Sequence, residues 1–225
     1  MPNTEGCSNM KLKDKIYNSV PDGKWDLFLD IGLSYNAPVS YEQLKSNPNA
    51  FIIGFEPNPE SCKEIQAEPF VKRHDFHVGG IPKSEKRFLL LNYGVANVNE
   101  VESRSFNITN EDPGCSSFLE IQSKHTVKQS IDINVIGLKY VLDALPWDKF
   151  NSKYFEIKSD TQGYEIEVLK SLGDYINYVK DIRIEESTYG QYIGAPSTIE
   201  IHTYLASSGM RLLKQHDGDA YFGRI

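Results

Sequence analysis

Carboxylates at the ends of apolar segments are the first feature of this sequence that could support chemistry. The apolar segment 25–29 leads into Asp30-Ile31-Gly32, and the apolar segment 51–55 leads into Glu56. An acid at the end of the second strand of a βαβ unit can accept hydrogen bonds from both ribose hydroxyls, since these are neighbouring donors on one edge of the sugar. The pattern therefore predicts a nucleotide site in which Gly32 lets the backbone approach the ligand closely.

A second group of charged residues ends two later segments. The segment 154–160 ends in Asp160, with Lys158 two residues earlier on the same strand face, and Glu185-Glu186 follows the segment 179–184. Asp160 could orient an acceptor hydroxyl or accept its proton, and Lys158 could hold the substrate or tune Asp160. Two alternatives stay open, namely a structural ion pair and a divalent cation held by Asp160 with Glu185. The divalent cation is the less favoured of these alternatives, so no metal site is assigned.

The elements that must position these residues alternate along the chain. Helices are predicted at 10–20, 39–45, 138–145, 165–172 and 198–208, and strands at 25–30, 50–55, 87–92, 154–160 and 179–184, with a final antiparallel pair at 212–215 and 220–224. Residues 1–9 read as a disordered tail, residues 100–136 as a β-rich insertion, and His74, Phe76 and Val78 as a weak strand signal. This alternation predicts an open α/β sheet, mostly parallel, with an antiparallel final strand and helices on both faces. Ligands bind beyond the carboxyl ends of strands in such sheets.

Composition narrows the class of partner. The chain has 225 residues, a net charge of −7 and 40% hydrophobic residues, which suits one soluble domain and argues against a nucleic-acid phosphate backbone as partner. Cys7, Cys62 and Cys115 have no metal-ligand spacing and predict free thiols in a reducing compartment. No apolar run is long enough to span a membrane, and the polar first 15 residues do not resemble a signal peptide, so a cytoplasmic location is predicted.

Three segments together resemble the FkbM family of S-adenosylmethionine-dependent methyltransferases. They are Phe28-Leu29-Asp30-Ile31-Gly32, Gly54-Phe55-Glu56-Pro57-Asn58-Pro59, and the stretch 157–170, IKSDTQGYEIEVLK, which is similar to the family's Lys-x-Asp-x-x-Gly-x-Glu signature. The stretches 92–97, 116–118 and 184–185 support them, and the resemblance covers roughly residues 25–225. Asn36 stands where the family usually has a second glycine, and we expect it to adopt the left-handed conformation that this turn requires.

The resemblance implies a Rossmann-like class I methyltransferase sheet over residues 25–225, preceded by an extension at 1–24 with a short helix. It implies S-adenosylmethionine as cofactor and transfer of its methyl group to an oxygen. The expected acceptor is a sugar hydroxyl of a small molecule or a glycan. The expected cofactor-binding residues are Asp30 (near the methionine end), Gly32, Ser34, Glu56, Pro57, Asn58, Asn92, Tyr93 and Gly94. The expected catalytic residues are Asp160, Lys158, Glu185 and His125, while Tyr189 and Tyr192 offer sugar-stacking surfaces.

Two other functional classes remain at this stage. A catalytically inactive cofactor- or ligand-binding module on the same fold is conceivable, because the first loop departs from the family pattern. A nicotinamide dehydrogenase is disfavoured, because the sequence lacks a Gly-x-Gly-x-x-Gly turn. For His125, a structural role is the commoner one for a lone histidine.

Overall fold

The computed structural model describes residues 4–67, 80–122, 124–186 and 190–225, with side chains from residue 11 onward. The helices are α1 (Thr4–Ser19), α2 (Pro38–Ser46), α3 (Pro59–Ile65), α4 (Leu138–Leu142), α5 (Glu165–Lys170) and α6 (Thr198–Ser207). The strands are β1 (Asp26–Ile31), β2 (Ala50–Phe55), β3 (Phe88–Leu91), β4 (Gly94–Val95), β5 (Glu102–Thr109), β6 (Val127–Ile136), β7 (Phe155–Ser159), β8 (Val179–Glu185), β9 (Met210–His216) and β10 (Asp219–Arg224).

The large sheet has the order β3-β2-β1-β7-β8-β10-β9. Neighbours from β3 to β8 pair in parallel, whereas β10 lies between β8 and β9 and is antiparallel to both. The predicted α/β sheet, mostly parallel with an antiparallel final strand, is confirmed. Because parallel strands end at one edge, the segments that follow β1, β2, β3 and β7 come together there.

Helices cover both faces of the sheet, as predicted. Along β1, Leu27, Leu29 and Ile31 pack with residues of α1, α4, α5 and α6, and Phe28 points to the face packed with α2. This alternation follows from the two-residue repeat of a strand. Pro38 opens α2 at a position where its missing N–H costs no hydrogen bond, so the helix begins one residue before the predicted range 39–45.

The N-terminal segment differs from the prediction. Helix α1 begins at Thr4, whereas residues 1–9 were expected to be a disordered tail. Leu12 and Ile16 of this helix are buried in the main core, so hydrophobic burial explains why the helix is part of the folded unit. Two other helices are shorter than predicted, since α4 ends at Leu142 and α5 ends at Lys170.

A second, smaller sheet has the order β4-β6-β5 and confirms that the insertion is β-rich. Strands β5 and β6 form an antiparallel hairpin whose connecting segment folds back, because Ser117 pairs with Asn107 and Ile121 pairs with Tyr192. The predicted strand at His74, Phe76 and Val78 and the residue Tyr189 lie outside the described residues. Within the described parts of the chain, none of the helices combines the length and hydropathy needed to cross a membrane.

Candidate active site

A pocket opens at the carboxyl edge of the large sheet, between the ends of β1, β2 and β7 and the small sheet. Its walls include Gly32, Ser34, Phe55, Glu56, Pro57, Tyr93, Gly94, Val95, Phe106, Pro113, Gly114, Ser116, Phe118, Asp160, Thr161, Gln162 and Tyr164. Of the predicted site residues, Gly32, Ser34, Glu56, Pro57, Tyr93, Gly94 and Asp160 are thus brought together around one cavity.

The turn after β1 depends on Gly32. Its φ of 79° lies in the left-handed region, and a Cβ there would lie 1.8 Å from the carbonyl oxygen of Asp160. Glycine is therefore required for the ends of β1 and β7 to approach each other. Farther along the turn the left-handed residues are Ser34 and Ala37, so the prediction that Asn36 takes this conformation is wrong.

Glu56 is a buried carboxylate in the pocket wall. It is only 5% exposed, and its Oε1 accepts a hydrogen bond of 2.8 Å from the backbone N–H of Asn58. Burial raises the pKa of Glu56 to about 8, and this exceeds the opposing effect of backbone hydrogen bonds from Asn58 and Ser34. A carboxyl group held this way favours ligands that donate hydrogen bonds to it.

The loop that carries Glu56 is fixed by amide side chains. Asn58 caps α3 by accepting from the N–H of Glu60, and Asn92 Nδ2 donates to the carbonyl oxygens of Glu56 and Pro57 at 2.9 Å each. Asn58 and Asn92 were expected to be cofactor-binding residues. Their hydrogen bonds shape the loop, which gives them a positioning role beside Glu56.

Asp30 does not line the pocket, in contrast to its expected place near the methionine end of the cofactor. Its side chain is 1% exposed, and Oδ2 accepts hydrogen bonds from the N–H and Oγ of Ser40. Its Oδ1 lies 3.5 Å from Lys158 Nζ. Asp30 therefore joins the end of β1 to α2 and to Lys158 of β7.

Lys158 is the cation between the strand ends. Its Nζ donates to the carbonyl oxygen of Gly32 and lies 3.5 Å from Asp30 Oδ1 and 3.4 Å from Asp160 Oδ2. Burial acts to lower the pKa of Lys158, but the two carboxylates outweigh it and raise that pKa above its usual value. Since the ammonium is occupied by these groups, the arrangement favours tuning of Asp160 over holding a substrate.

Asp160 projects into the pocket at the end of β7, with its side chain 38% exposed. Burial acts to raise its pKa, but the Lys158 ammonium and hydrogen bonds from Glu185, Gln162 and Lys158 together lower it. Gln162 Nε2 donates to Asp160 Oδ1 at 2.9 Å and to Glu185 Oε2 at 2.6 Å. Gln162 therefore brings Asp160 and Glu185 together, although Glu185 is not among the residues of the pocket wall.

Two predicted residues are placed elsewhere or otherwise engaged. His125 Nδ1 lies 3.9 Å from Glu111 Oε2 on the hairpin's connecting segment, and His125 is not among the residues of the pocket wall. Tyr192 is 2% exposed, with its hydroxyl 2.7 Å from Gln162 Oε1 and 2.9 Å from Cys115 O. A ring buried this completely offers no sugar-stacking surface, so that expectation for Tyr192 is corrected.

The hairpin wall contains residues that the sequence did not assign. The rings of Phe106 and Phe118 lie 4.8 Å apart, and the rings of Phe118 and Tyr164 lie 5.3 Å apart. Phe118 also covers Gly94, where a Cβ would lie 2.3 Å from the Phe118 ring. The resemblance to the family includes the stretch 116–118. Local sequence spacing, however, cannot predict contacts that join β5, the hairpin's connecting segment and the residue before α5.

The pocket fits a nucleoside-containing cofactor on one observation. Glu56 presents a buried acceptor group at the end of β2, in the pocket wall. Where side chains are described, no cluster of three or more His, Cys, Asp or Glu residues could hold a metal ion.

Comparisons with known proteins find relatives at the level of solved structures. No family model matches the chain, and no curated protein sequence matches it. The methyltransferase FkbM from Methylobacillus flagellatus KT is 12% identical with a TM-score of 0.49, over 90% of this chain and 44% of that one. The chain thus spans less than half the length of that protein.

Two further solved structures are also methyltransferases. A precorrin-6y C5,15-methyltransferase from Geobacter metallireducens GS-15 is 10% identical with a TM-score of 0.41, over 94% of this chain and 85% of that one. A 16S rRNA (adenine(1408)-N(1))-methyltransferase mutant from Catenulisporales acidiphilia is 11% identical with a TM-score of 0.39, over 93% and 87%. The fold class itself rests on the strand order and directions described above.

Proposed function

We propose that this protein is an S-adenosylmethionine-dependent methyltransferase that methylates a hydroxyl oxygen. The proposed acceptor is a sugar hydroxyl of a small molecule or a glycan. One observation carries the cofactor assignment: Glu56, buried in the pocket wall at the end of β2, presents a carboxyl group where a ribose diol would be bound. The sugar acceptor follows from the resemblance to the FkbM family in the three sequence segments.

Different residues of the pocket wall bind different parts of the cofactor. Glu56 accepts hydrogen bonds from the ribose hydroxyls, and the absence of a side chain at Gly32 lets the backbones of β1 and β7 come together at the pocket wall. Tyr93 and Gly94 line the wall beyond β3, on the side expected for the base. When bound, S-adenosylmethionine supplies an electrophilic methyl group on a sulfonium.

Asp160 acts on the acceptor. Its lowered pKa keeps the carboxylate ionised at neutral pH, so it is a ready hydrogen-bond acceptor for a hydroxyl and a weak base. The acceptor oxygen becomes more acidic as its new bond to carbon forms, and the proton can then pass to Asp160. The main contribution of the protein is therefore to hold the acceptor oxygen in line with the methyl group.

The electrostatics favour a neutral acceptor over an anionic one. The chain carries a net charge of −7, and Asp160 lines the pocket while Glu185, outside the pocket wall, shares the Gln162 amide with it. Phosphate or carboxylate groups on an acceptor would be repelled at this position, whereas hydroxyl groups would donate hydrogen bonds to Asp160.

Calorimetry and a transfer assay test the proposal. S-adenosylhomocysteine should bind the wild-type protein at one site, whereas NAD should not bind measurably. Transfer of a labelled methyl group to a panel of glycosides should then give product. Absence of S-adenosylhomocysteine binding contradicts the proposal, and binding without transfer to any acceptor points to an inactive binding module.

A further inference from the structure

Gln162 occupies a strained position at the pocket wall. It follows β7 in the turn before α5, and its φ of 54° is left-handed. This conformation costs a residue with a side chain roughly 1–2 kcal/mol, so it persists only where surrounding contacts determine it. Strain of this kind at a pocket wall indicates that the contacts of the side chain have a function.

Every polar atom of the Gln162 side chain is engaged. Nε2 donates to Asp160 Oδ1 at 2.9 Å and to Glu185 Oε2 at 2.6 Å, and Oε1 lies 2.7 Å from the hydroxyl of Tyr192. The amide orientation is fixed by chemistry, because turning Oε1 towards two carboxylates would place acceptors against acceptors. Its backbone carbonyl also accepts from Ser117 Oγ at 2.8 Å.

Tyr192 is held in place by the hairpin's connecting segment. The N–H of Gln122 donates to Gln191 O at 2.8 Å, and the N–H of Ile193 donates to Glu120 O at 2.9 Å. Ile121 and Tyr192 are paired between these two bonds. The hydroxyl that faces Gln162 Oε1 therefore comes from a fixed backbone.

We propose that Gln162 is a positioning residue that clasps Asp160 and Glu185, while Tyr192 fixes the direction of its amide, so that Asp160 faces a hydroxyl-bearing acceptor in the pocket with Glu185 held beside it. The acceptor part of this statement rests on the proposed methyl transfer. The clasp itself makes a prediction that needs neither cofactor nor acceptor, so the two can fail separately.

Charged and titratable groups from several elements influence Asp160 together with Gln162. They are Lys158 on β7, Glu185 and Arg183 on β8, Glu56 after β2, Cys115 on the hairpin's connecting segment, and Tyr192. Asp30 on β1 shares the Lys158 ammonium. Removal of the Gln162 amide leaves all of these groups unchanged, which isolates its effect.

Carboxyl-carbon NMR of Asp160 as a function of pH measures the clasp. In Gln162→Met, an unbranched side chain of similar length replaces the amide and Asp160 loses one donated hydrogen bond. We expect its titration midpoint to rise by about one pH unit, because a donor to a charged group stabilises the ionised form. Tyr192→Phe should move the midpoint in the same direction by less, because the amide loses only its orientation.

Two variants keep the result interpretable. Gln43→Met makes the same substitution on α2, away from the pocket, and should leave the Asp160 midpoint unchanged. Gln162→Gly also removes the amide but relieves the left-handed strain, so it serves if Gln162→Met does not fold. A residue with only a structural role would alter stability without moving this midpoint.

The outcomes separate cleanly. An Asp160 midpoint in folded Gln162→Met or Gln162→Gly equal to that of the wild type overturns the clasp. A raised midpoint supports it whether or not S-adenosylhomocysteine binds. Failure of the wild type to bind S-adenosylhomocysteine would instead remove the proposed methyl transfer and leave the clasp standing.

Discussion

The two sides of the pocket shift the pKa values of their carboxyl groups in opposite directions. After β2, Glu56 is met by backbone N–H groups, and burial raises its pKa to about 8. At the ends of β1 and β7, Asp30 and Asp160 lie on either side of the Lys158 ammonium, and the pKa of Asp160 is lowered. On the Glu56 side, burial outweighs the backbone hydrogen bonds, whereas Asp160 already has a cation beside it.

The difference suits the two sides to different tasks. The buried carboxyl group of Glu56 is mostly protonated in the free protein. A ligand that supplies hydroxyl donors stabilises its ionised form, so binding of such a ligand favours ionisation. Asp160 is already ionised without a ligand, so it can orient an acceptor hydroxyl directly. The following predictions separate the two sides by experiment.

Removal of the cation should have the largest effect on stability. Lys158→Met leaves Asp30 buried without its ion-pair partner, and we expect the free energy of unfolding to fall by about 3–5 kcal/mol. Urea denaturation measures this loss. The matched control is Lys139→Met, whose exposed ion pair with Asp143 should contribute no more than about 1 kcal/mol. Equal losses in both variants would show that Lys158 has no special role.

Asp160→Asn should keep the affinity for S-adenosylhomocysteine and lose most turnover. The amide cannot accept a proton and orients a hydroxyl poorly, so the rate with an identified acceptor should fall by about 10²–10⁴-fold. Asp181→Asn on β8 serves as the control and should react like the wild type. If Asp160 instead held a metal ion, EDTA would silence the wild type as well. A wild-type rate in Asp160→Asn would remove Asp160 from the reaction.

Glu56→Ala should affect binding where Asp160→Asn does not. Loss of the carboxylate removes hydrogen bonds to the ribose, and the affinity for S-adenosylhomocysteine should weaken by about 1.5–3 kcal/mol in calorimetry. Glu60→Ala, at an exposed position on α3, should bind like the wild type. Unchanged affinity in a folded Glu56→Ala protein would separate Glu56 from the ribose site.

The pH dependence of binding should have a definite sign. The ribose needs ionised Glu56, which is mostly protonated in the free protein below about pH 8. The affinity for S-adenosylhomocysteine should therefore rise as pH increases towards 8, by up to about tenfold per pH unit, and then level off. Glu56→Gln should flatten this profile, and a flat wild-type profile would contradict the assignment.

The same pKa predicts the stability of the free protein. The pKa of Glu56 is about 8 in the fold and 4.5 for an unperturbed glutamate, so the unfolded chain releases this proton first as pH rises. Between these two values the fold loses stability with increasing pH. Glu56→Gln should lose less over that interval in thermal denaturation, since an amide does not titrate.

The order of these elements was readable from the sequence because period-two and helical patterns are local. The run 50–55 and Pro38 at the start of α2 illustrate this, as does the placement of Glu56 at a strand end. The burial of Asp30 was not readable, because it depends on Ser40 and on Lys158, which is distant in sequence. The clasp by Gln162 was missed for the same reason, since Tyr192 reaches it only through the folded hairpin.

A crystal structure of the protein with S-adenosylhomocysteine tests the central claim most directly. The account predicts the adenosine in the pocket, with both ribose hydroxyl oxygens about 2.5–3.0 Å from the Glu56 carboxylate and Asp160 facing open space for an acceptor. A ribose bound away from Glu56, or adenosine bound outside this pocket, would contradict it.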